Sequence, residues 1–130
     1  MSSDLYQEQI LDHYRHPRNF GTLDNPDATF QDSNPLCGDT VTIDIQYDGD
    51  RIAAVRFHGS GCAISQASTS MLTEMVEGKT KDEAHAITKD EILEEIGVPL
   101  SPARVKCALL GYKVLQAALY GLPSRSTEGT

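Results

Sequence analysis

The sequence predicts an α+β fold in which a small antiparallel three-stranded sheet is covered on one face by helices. Residues 41–47 alternate apolar and polar side chains with a period of two, which is typical of a half-buried strand. A second strand-like segment, residues 51–58, follows a turn at residues 48–50, so the two segments are predicted to form a hairpin. Helical periodicity lies before and after these strands rather than between them, and this segregation favours α+β over α/β.

The first helix is predicted to end just before Pro17, because proline disfavours helical geometry at the preceding residue. Tyr6, Ile10 and Tyr14 fall on one face at spacings of four residues, and we expect this face to pack on the core. A docking stripe for a partner is the alternative for the same three residues. His13, near the end of the helix, is expected to suit the helix dipole as a polar or cationic group.

The connection at residues 19–35 is rich in turn-forming residues and holds a short predicted strand near residues 28–30. After Cys62 an apolar stripe with helical spacing predicts a helix that ends at Gly78. Residues 80–96 are predicted to be mostly helical, because acidic residues cluster where the first turn of a helix favours them.

The last helix is predicted to run from Pro102 to about Tyr120 and to end at Gly121. Its predicted inward stripe comprises Val105, Leu109, Tyr112, Leu115 and Leu119. We expect a single domain over residues 1–123, followed by a loose polar tail at residues 124–130.

The composition excludes several classes of function for this chain of 130 residues. A hydrophobic content of 39% argues against a disordered protein. A net charge of −8 argues against general nucleic-acid binding, which needs a positive surface. We find no apolar run long enough to span a membrane and no secretory signal, so we expect a cytoplasmic protein in a reducing compartment.

The three cysteines, Cys37, Cys62 and Cys107, are too few and too widely spaced for a disulfide framework, and none lies in a CxxC pair. Three thiols are one short of a four-cysteine zinc site. Asp39 lies two residues after Cys37 and offers a fourth ligand, either for tetrahedral Zn²⁺ or for the iron atoms of a small cluster. A carboxylate is harder than a thiolate and more easily displaced by sulfur. The alternative is that these cysteines are simply small buried hydrophobic residues.

Four segments carry a resemblance to a known family. The three cysteine segments, residues 35–39, 59–65 and 101–109, and the N-terminal residues 5–19 resemble the U-type iron–sulfur cluster assembly proteins, which comprise IscU, SufU and the N-terminal part of NifU. The resemblance implies an α+β fold, as the pattern predicts. It also implies that Cys37, Asp39, Cys62 and Cys107 together bind Zn²⁺ or host a [2Fe–2S] cluster.

Two features of the sequence point to different subfamilies. Lys106 precedes the third cysteine, as in SufU, where IscU proteins have histidine. The chain nevertheless lacks the insertion that SufU proteins usually carry between the second and third cysteines. The chaperone-recognition run of IscU is only partly present at residues 100–106, so dependence on a dedicated chaperone is not carried over.

The resemblance implies that sulfur arrives as a persulfide from a cysteine desulfurase of the SufS or IscS type. It favours Cys107 as the persulfide acceptor and implies downstream Suf components or apo iron–sulfur proteins as recipients. We expect a scaffold for cluster assembly rather than an enzyme. A zinc-dependent sulfurtransferase that relays persulfide is the first alternative, and a purely structural zinc module is the second.

Overall fold

The computed structural model describes residues 2–35 and 38–121 of the chain. Within this part, eight elements follow one another: α1 (Ser2–Arg15), β1 (Ala28–Asn34), β2 (Asp39–Asp48), β3 (Arg51–Ser60), α2 (Ala63–Val76), α3 (Lys81–His85), α4 (Lys89–Ile96) and α5 (Pro102–Tyr120). The predicted tail at residues 124–130 lies outside the described residues. No described helix combines the length and apolar character needed to cross a membrane.

The sheet confirms the predicted hairpin and its third strand. The strands run antiparallel in the order β1-β2-β3, with Phe30 opposite Ile43 and Ile45 opposite Val55. These alternating apolar residues point to one face, where α2 and α5 cover them. The fold is therefore α+β, with helices packed on one face of a three-stranded sheet.

The face of β2 that points away from α2 and α5 is also buried in part, although the alternating pattern predicts that this face is exposed to water. Thr42 and Asp44, two polar residues of the alternating segment, are only 9% and 7% exposed. The connection at residues 17–27 covers this face. The carboxylate of Asp44 accepts hydrogen bonds from the backbone N–H of Leu23 at 3.1 Å and from the hydroxyl of Thr29 at 2.6 Å. A buried carboxylate requires such donors, so Asp44 fixes the connection to the sheet.

Helices α2 and α5 pack closely because both present small residues at their contact. A Cβ atom at Gly111 of α5 would lie 2.2 Å from the hydroxyl oxygen of Thr69 on α2. One turn away, the Ser68 hydroxyl donates to the carbonyl of Ala108 at 2.8 Å. This contact sets the position of α5, and with it the position of Cys107.

The predicted inward face of α1 is only partly right. Ile10 is buried and Tyr6 is half-buried, but Tyr14 is 45% exposed. The buried residue of that turn is His13, whose Nδ1 lies 2.8 Å from the hydroxyl of Ser70 on α2. His13 does lie in the last turn of α1, as predicted, and its hydrogen-bonding partner on α2 additionally holds the ring in the interior.

The other helices follow the predicted boundaries with one break. Residues 80–96 form two helices, α3 and α4, each begun by a threonine whose hydroxyl and a following glutamate make a reciprocal capping box. Helix α5 begins at Pro102 and ends before Gly121, as predicted. Of its predicted inward stripe, Leu115 and Leu119 are buried, whereas Leu109 and Tyr112 are half-buried at the edge of the core. Leu110 and Val114, outside the predicted stripe, are buried as well.

Candidate metal centre

Asp39 is the first residue of β2 and is fully buried. Its register partner is Asn34, the last residue of β1, so the carboxylate lies at one end of the sheet. The helices α2 and α5 bring their own residues to this end. A buried carboxylate there needs hydrogen-bond donors or a cation to offset its lost hydration.

Cys62 supplies the first of these donors. It is the N-cap residue of α2, and its backbone N–H donates to Oδ1 of Asp39 at 2.8 Å. Its sulfur lies 3.7 Å from the other carboxylate oxygen, Oδ2. The positive end of the α2 dipole also favours a carboxylate at this position. The backbone of Cys62 therefore orients the Asp39 carboxylate, and its side chain adds a soft donor beside it.

Gly61 makes this close approach possible. Its φ angle is +137°, a value that side chains rarely tolerate. A Cβ atom at this position would lie 2.1 Å from Oδ1 of Asp39. The segment before Cys62 therefore needs glycine both for its backbone geometry and for the space that the carboxylate occupies.

Cys107 enters the same site from the second turn of α5 and is fully buried. The side-chain amide of Asn34 donates to its sulfur, with Nδ2 at 3.8 Å from Sγ. The hydroxyl of Ser101 caps α5 by accepting from the N–H of Arg104, and Pro102 occupies the first turn. The N-terminal cap thus fixes where the helix begins and therefore where the Cys107 sulfur lies.

One ligand atom from each of Asp39, Cys62 and Cys107 lies within 4.8 Å of the other two. Around a tetrahedral zinc ion with metal–sulfur bonds of about 2.3 Å, ligand atoms lie roughly 3.5–3.8 Å apart. The three donors therefore need to move by about 1 Å or less. This donor set of two thiols and one carboxylate can hold a metal ion.

The structure brings together three of the four predicted site residues. The fourth, Cys37, lies outside the described residues, and its role as a ligand stays a prediction. Sequence reasoning missed two residues that shape the site, Asn34 and Gly61. The glycines flanking Ser60 were visible as a strand break, whereas no sequence signal tied Asn34 to Cys107.

Comparison with known proteins places this arrangement in a family. The family model described as the NifU-like N terminal domain matches residues 5–128. The chain belongs to this family. The match includes all three cysteine segments, so the converging site lies within the family domain.

Curated relatives carry two descriptions. The chain is 36% identical over 124 residues to the iron–sulfur cluster assembly scaffold protein IscU of Escherichia coli K12, covering 92% of this chain and 95% of the relative. It is 38% identical over 129 residues to the zinc-dependent sulfurtransferase SufU of Bacillus subtilis, covering 86% of this chain and 87% of the relative.

A solved structure agrees with the fold. A candidate scaffold protein for the SUF system from Fervidobacterium islandicum superposes with a TM-score of 0.78 at 36% identity, covering 92% of this chain and 99% of that one. The resemblance drawn from the cysteine segments is thereby confirmed at the level of the family.

Proposed function

We propose that this protein accepts persulfide sulfur from a cysteine desulfurase and assembles, or supports the assembly of, a [2Fe–2S] cluster on Cys37, Asp39, Cys62 and Cys107. The observation that carries this proposal is the convergence of Asp39, Cys62 and Cys107 from three separate elements to within 4.8 Å. The relatives described as scaffolds support the same conclusion. The cluster is the product of the reaction and leaves with a recipient protein.

The mixed donor set suits a site that must release what it binds. A bound Zn²⁺ or iron ion keeps coordinated thiols deprotonated and stabilises the negative charge of the site. Carboxylates are harder ligands than thiolates and exchange more readily with incoming sulfur. Asp39 keeps its hydrogen bond to the Cys62 N–H, so its carboxylate stays beside the site when it is not a ligand.

Sulfur transfer to Cys107 is a thiol exchange without net oxidation. The Cys107 thiolate attacks the outer sulfur of the desulfurase persulfide, and a new sulfur–sulfur bond forms at Sγ. The bond between that outer sulfur and the desulfurase cysteine breaks, and this cysteine leaves as a thiolate. Because Cys107 is fully buried, the transfer requires a local opening of the segments around it.

A zinc-dependent sulfurtransferase is the second candidate. The relative of that description supports it, as does Lys106, which resembles SufU at the position before the third cysteine. In this case the same residues pass persulfide to a recipient and no cluster is built on them. Both proposals include a cysteine desulfurase of the SufS or IscS type as the sulfur donor. Both include Suf components or apo iron–sulfur proteins as recipients, and both place the protein in the cytoplasm.

Anaerobic incubation with ferrous iron, cysteine and a desulfurase distinguishes the two candidates. A chromophore that can be transferred to apo-ferredoxin supports the scaffold. A colourless zinc protein that carries persulfide supports the relay. Neither product, together with an unchanged rate of alanine formation by the desulfurase, would leave only a structural zinc module. In all assays a Cys107→Ser variant should lose the added sulfur mass, and its retention would overturn the assignment of Cys107 as acceptor.

A further inference from the structure

A groove of about 570 Å³ runs beside the candidate metal centre, between one flank of α5 and the end of β1. Asn34 and Pro35 form part of one wall, and α5 contributes the other. From α5 the groove is lined by Lys106, Leu109, Tyr112 and Lys113 among others, and Lys89 at the start of α4 extends the rim.

The rim of this groove is positively charged, although the protein as a whole is acidic. The chain has a net charge of −8, yet three of its five lysines, Lys89, Lys106 and Lys113, line the groove. Lys113 lies 3.6 Å from the carboxylate of Asp32. In the described part of the chain, no carboxylate lies within 4.0 Å of the ammonium groups of Lys89 or Lys106. A cluster of like charges with one internal partner favours an anionic ligand.

The floor of the groove is apolar. Leu109 and Tyr112 are half-buried, and the hydroxyl of Tyr112 donates to the carbonyl of Ile87 at 2.8 Å. The hydroxyl of Tyr112 therefore already has a partner within the protein. An apolar floor below a cationic rim suits a ligand with both apolar and carboxylate groups better than it suits inorganic phosphate.

The length of the groove suits an extended peptide. Lys106 and Lys113 lie seven residues apart on α5, which corresponds to about 10 Å along the helix. An extended chain covers this distance in about three residues. Carboxylates near the two ends of such a segment can pair with the lysines while an apolar side chain between them contacts the floor.

One end of the groove adjoins the candidate metal centre through Asn34. Asn34 lines the groove and donates to the Cys107 sulfur at 3.8 Å, and Lys106 directly precedes Cys107 in α5. We propose that the groove binds an extended acidic segment of the protein that exchanges sulfur with this chain. The identity of that partner rests on the proposed function, whereas the chemistry of the segment rests on the groove.

The direct test uses the full chain and a synthetic probe. The probe is the acetylated and amidated heptapeptide Glu-Leu-Glu-Phe-Glu-Leu-Glu, titrated into ¹⁵N-labelled protein at low salt. We expect saturable shifts at Lys89, Lys106, Lys113 and their neighbours, with affinity that falls as salt rises. Three comparison ligands are the same peptide with lysine for glutamate, the same peptide with serine for its apolar residues, and inorganic phosphate. Each should bind the groove at least about tenfold more weakly.

Matched variants separate the groove from overall charge. The variant Lys89→Glu with Lys106→Glu should weaken peptide binding at least about tenfold. The control, Arg15→Glu with Lys79→Glu, changes the net charge by the same amount at exposed positions that do not line the groove, and should stay within about twofold of the unsubstituted protein. Equal weakening in both variants, shifts outside the groove, or phosphate binding as tight as the peptide would each overturn the proposal.

Failure of this proposal can be told apart from failure of the proposed function. On the same samples, zinc content and the persulfide mass on the protein after treatment with a small-molecule persulfide are measured without any partner. If the protein carries the persulfide mass and the peptide does not bind, the groove proposal is wrong and the proposed function stands. If the unsubstituted protein carries no persulfide mass, the proposed function is wrong whatever its zinc content and whatever the peptide does.

Discussion

The backbone N–H of Cys62 donates to the carboxylate of Asp39 at 2.8 Å, so one proposed metal ligand orients another across 23 positions of sequence. This hydrogen bond joins the start of β2 to the start of α2. It gives Asp39 a structural role that is separate from metal binding, and the two roles can be measured separately.

Replacing Asp39 separates these roles. Asp39→Ala removes both the ligand and the acceptor of a partly buried N–H, so the metal-free protein should lose about 1–2 kcal/mol of stability. Asp39→Asn keeps an acceptor oxygen and should retain most of that stability. Both variants should bind zinc more weakly, as measured by competition with a chelator. Equal denaturation midpoints for the two metal-free variants would contradict the structural role.

Gly61→Ala should disturb the site more than an alanine at another left-handed glycine. Gly61 and Gly78 both have positive φ, but an added Cβ meets Asp39 only at Gly61, while nothing lies within 4 Å at Gly78. We expect Gly61→Ala to cost about 2 kcal/mol more than Gly78→Ala in urea denaturation, and to weaken zinc binding. If the two costs agree, the contact with the carboxylate is not what requires glycine.

Asn34→Ala should weaken metal binding although Asn34 is not a proposed ligand. Its amide donates to the Cys107 sulfur, and loss of such supporting hydrogen bonds lowers metal affinity by about tenfold or more. Competition with a chelator measures the effect, and Ser33→Ala on the same strand serves as control. Unchanged zinc affinity in Asn34→Ala would show that this hydrogen bond does not matter to the site.

His13 should make the stability of the fold depend on pH. Burial lowers the pKa of His13, the nearby Arg18 lowers it further, and Glu74, Asp12 and Glu95 act in the opposite direction. The unfolded chain then takes up this proton first as pH falls below about 6.5. The contribution of neutral His13 is therefore complete above that pH and is lost as pH falls towards the folded-state pKa.

The pH effect is measured as the denaturation midpoint between pH 7.5 and 5. We expect a smaller decrease for His13→Gln than for the unsubstituted protein, because glutamine does not titrate and can still bond to Ser70. His16→Gln, at an exposed position of the same segment, should leave the decrease unchanged. An identical decrease in all three proteins would exclude His13 as the titrating group.

Much of the fold could be predicted because its signals are local. Alternation identified the hairpin, and Pro102 and Gly121 marked the ends of α5. The features that were not predicted depend on contacts between residues that are far apart in sequence. Asp44 is buried because a connection folds over it, and His13 turns inward because Ser70 faces it. No periodicity within either segment contains that information.

For the candidate site, the sequence predicted the ligand residues but not the contacts around them. The residue types and the family resemblance identified Asp39, Cys62 and Cys107, and the structure brings their donor atoms together. The hydrogen bond between Asp39 and Cys62 and the lysine-lined groove were not predicted. Both depend on how α2 and α5 are placed against the sheet, which the spacing of residues does not reveal.

The origin of the three donors in β2, α2 and α5 has a thermodynamic consequence. An ion held by all three binds the folded chain more tightly than the unfolded one, so its apparent affinity depends on the population in which these elements are docked. Zinc at a hundredfold excess over its dissociation constant would add about 2.7 kcal/mol to folding. Conversely, a core substitution such as Leu72→Ala, remote from the ligands, would reduce the apparent affinity once unfolding becomes appreciable. Metal occupancy in this chain is thus also a reporter of its folded fraction.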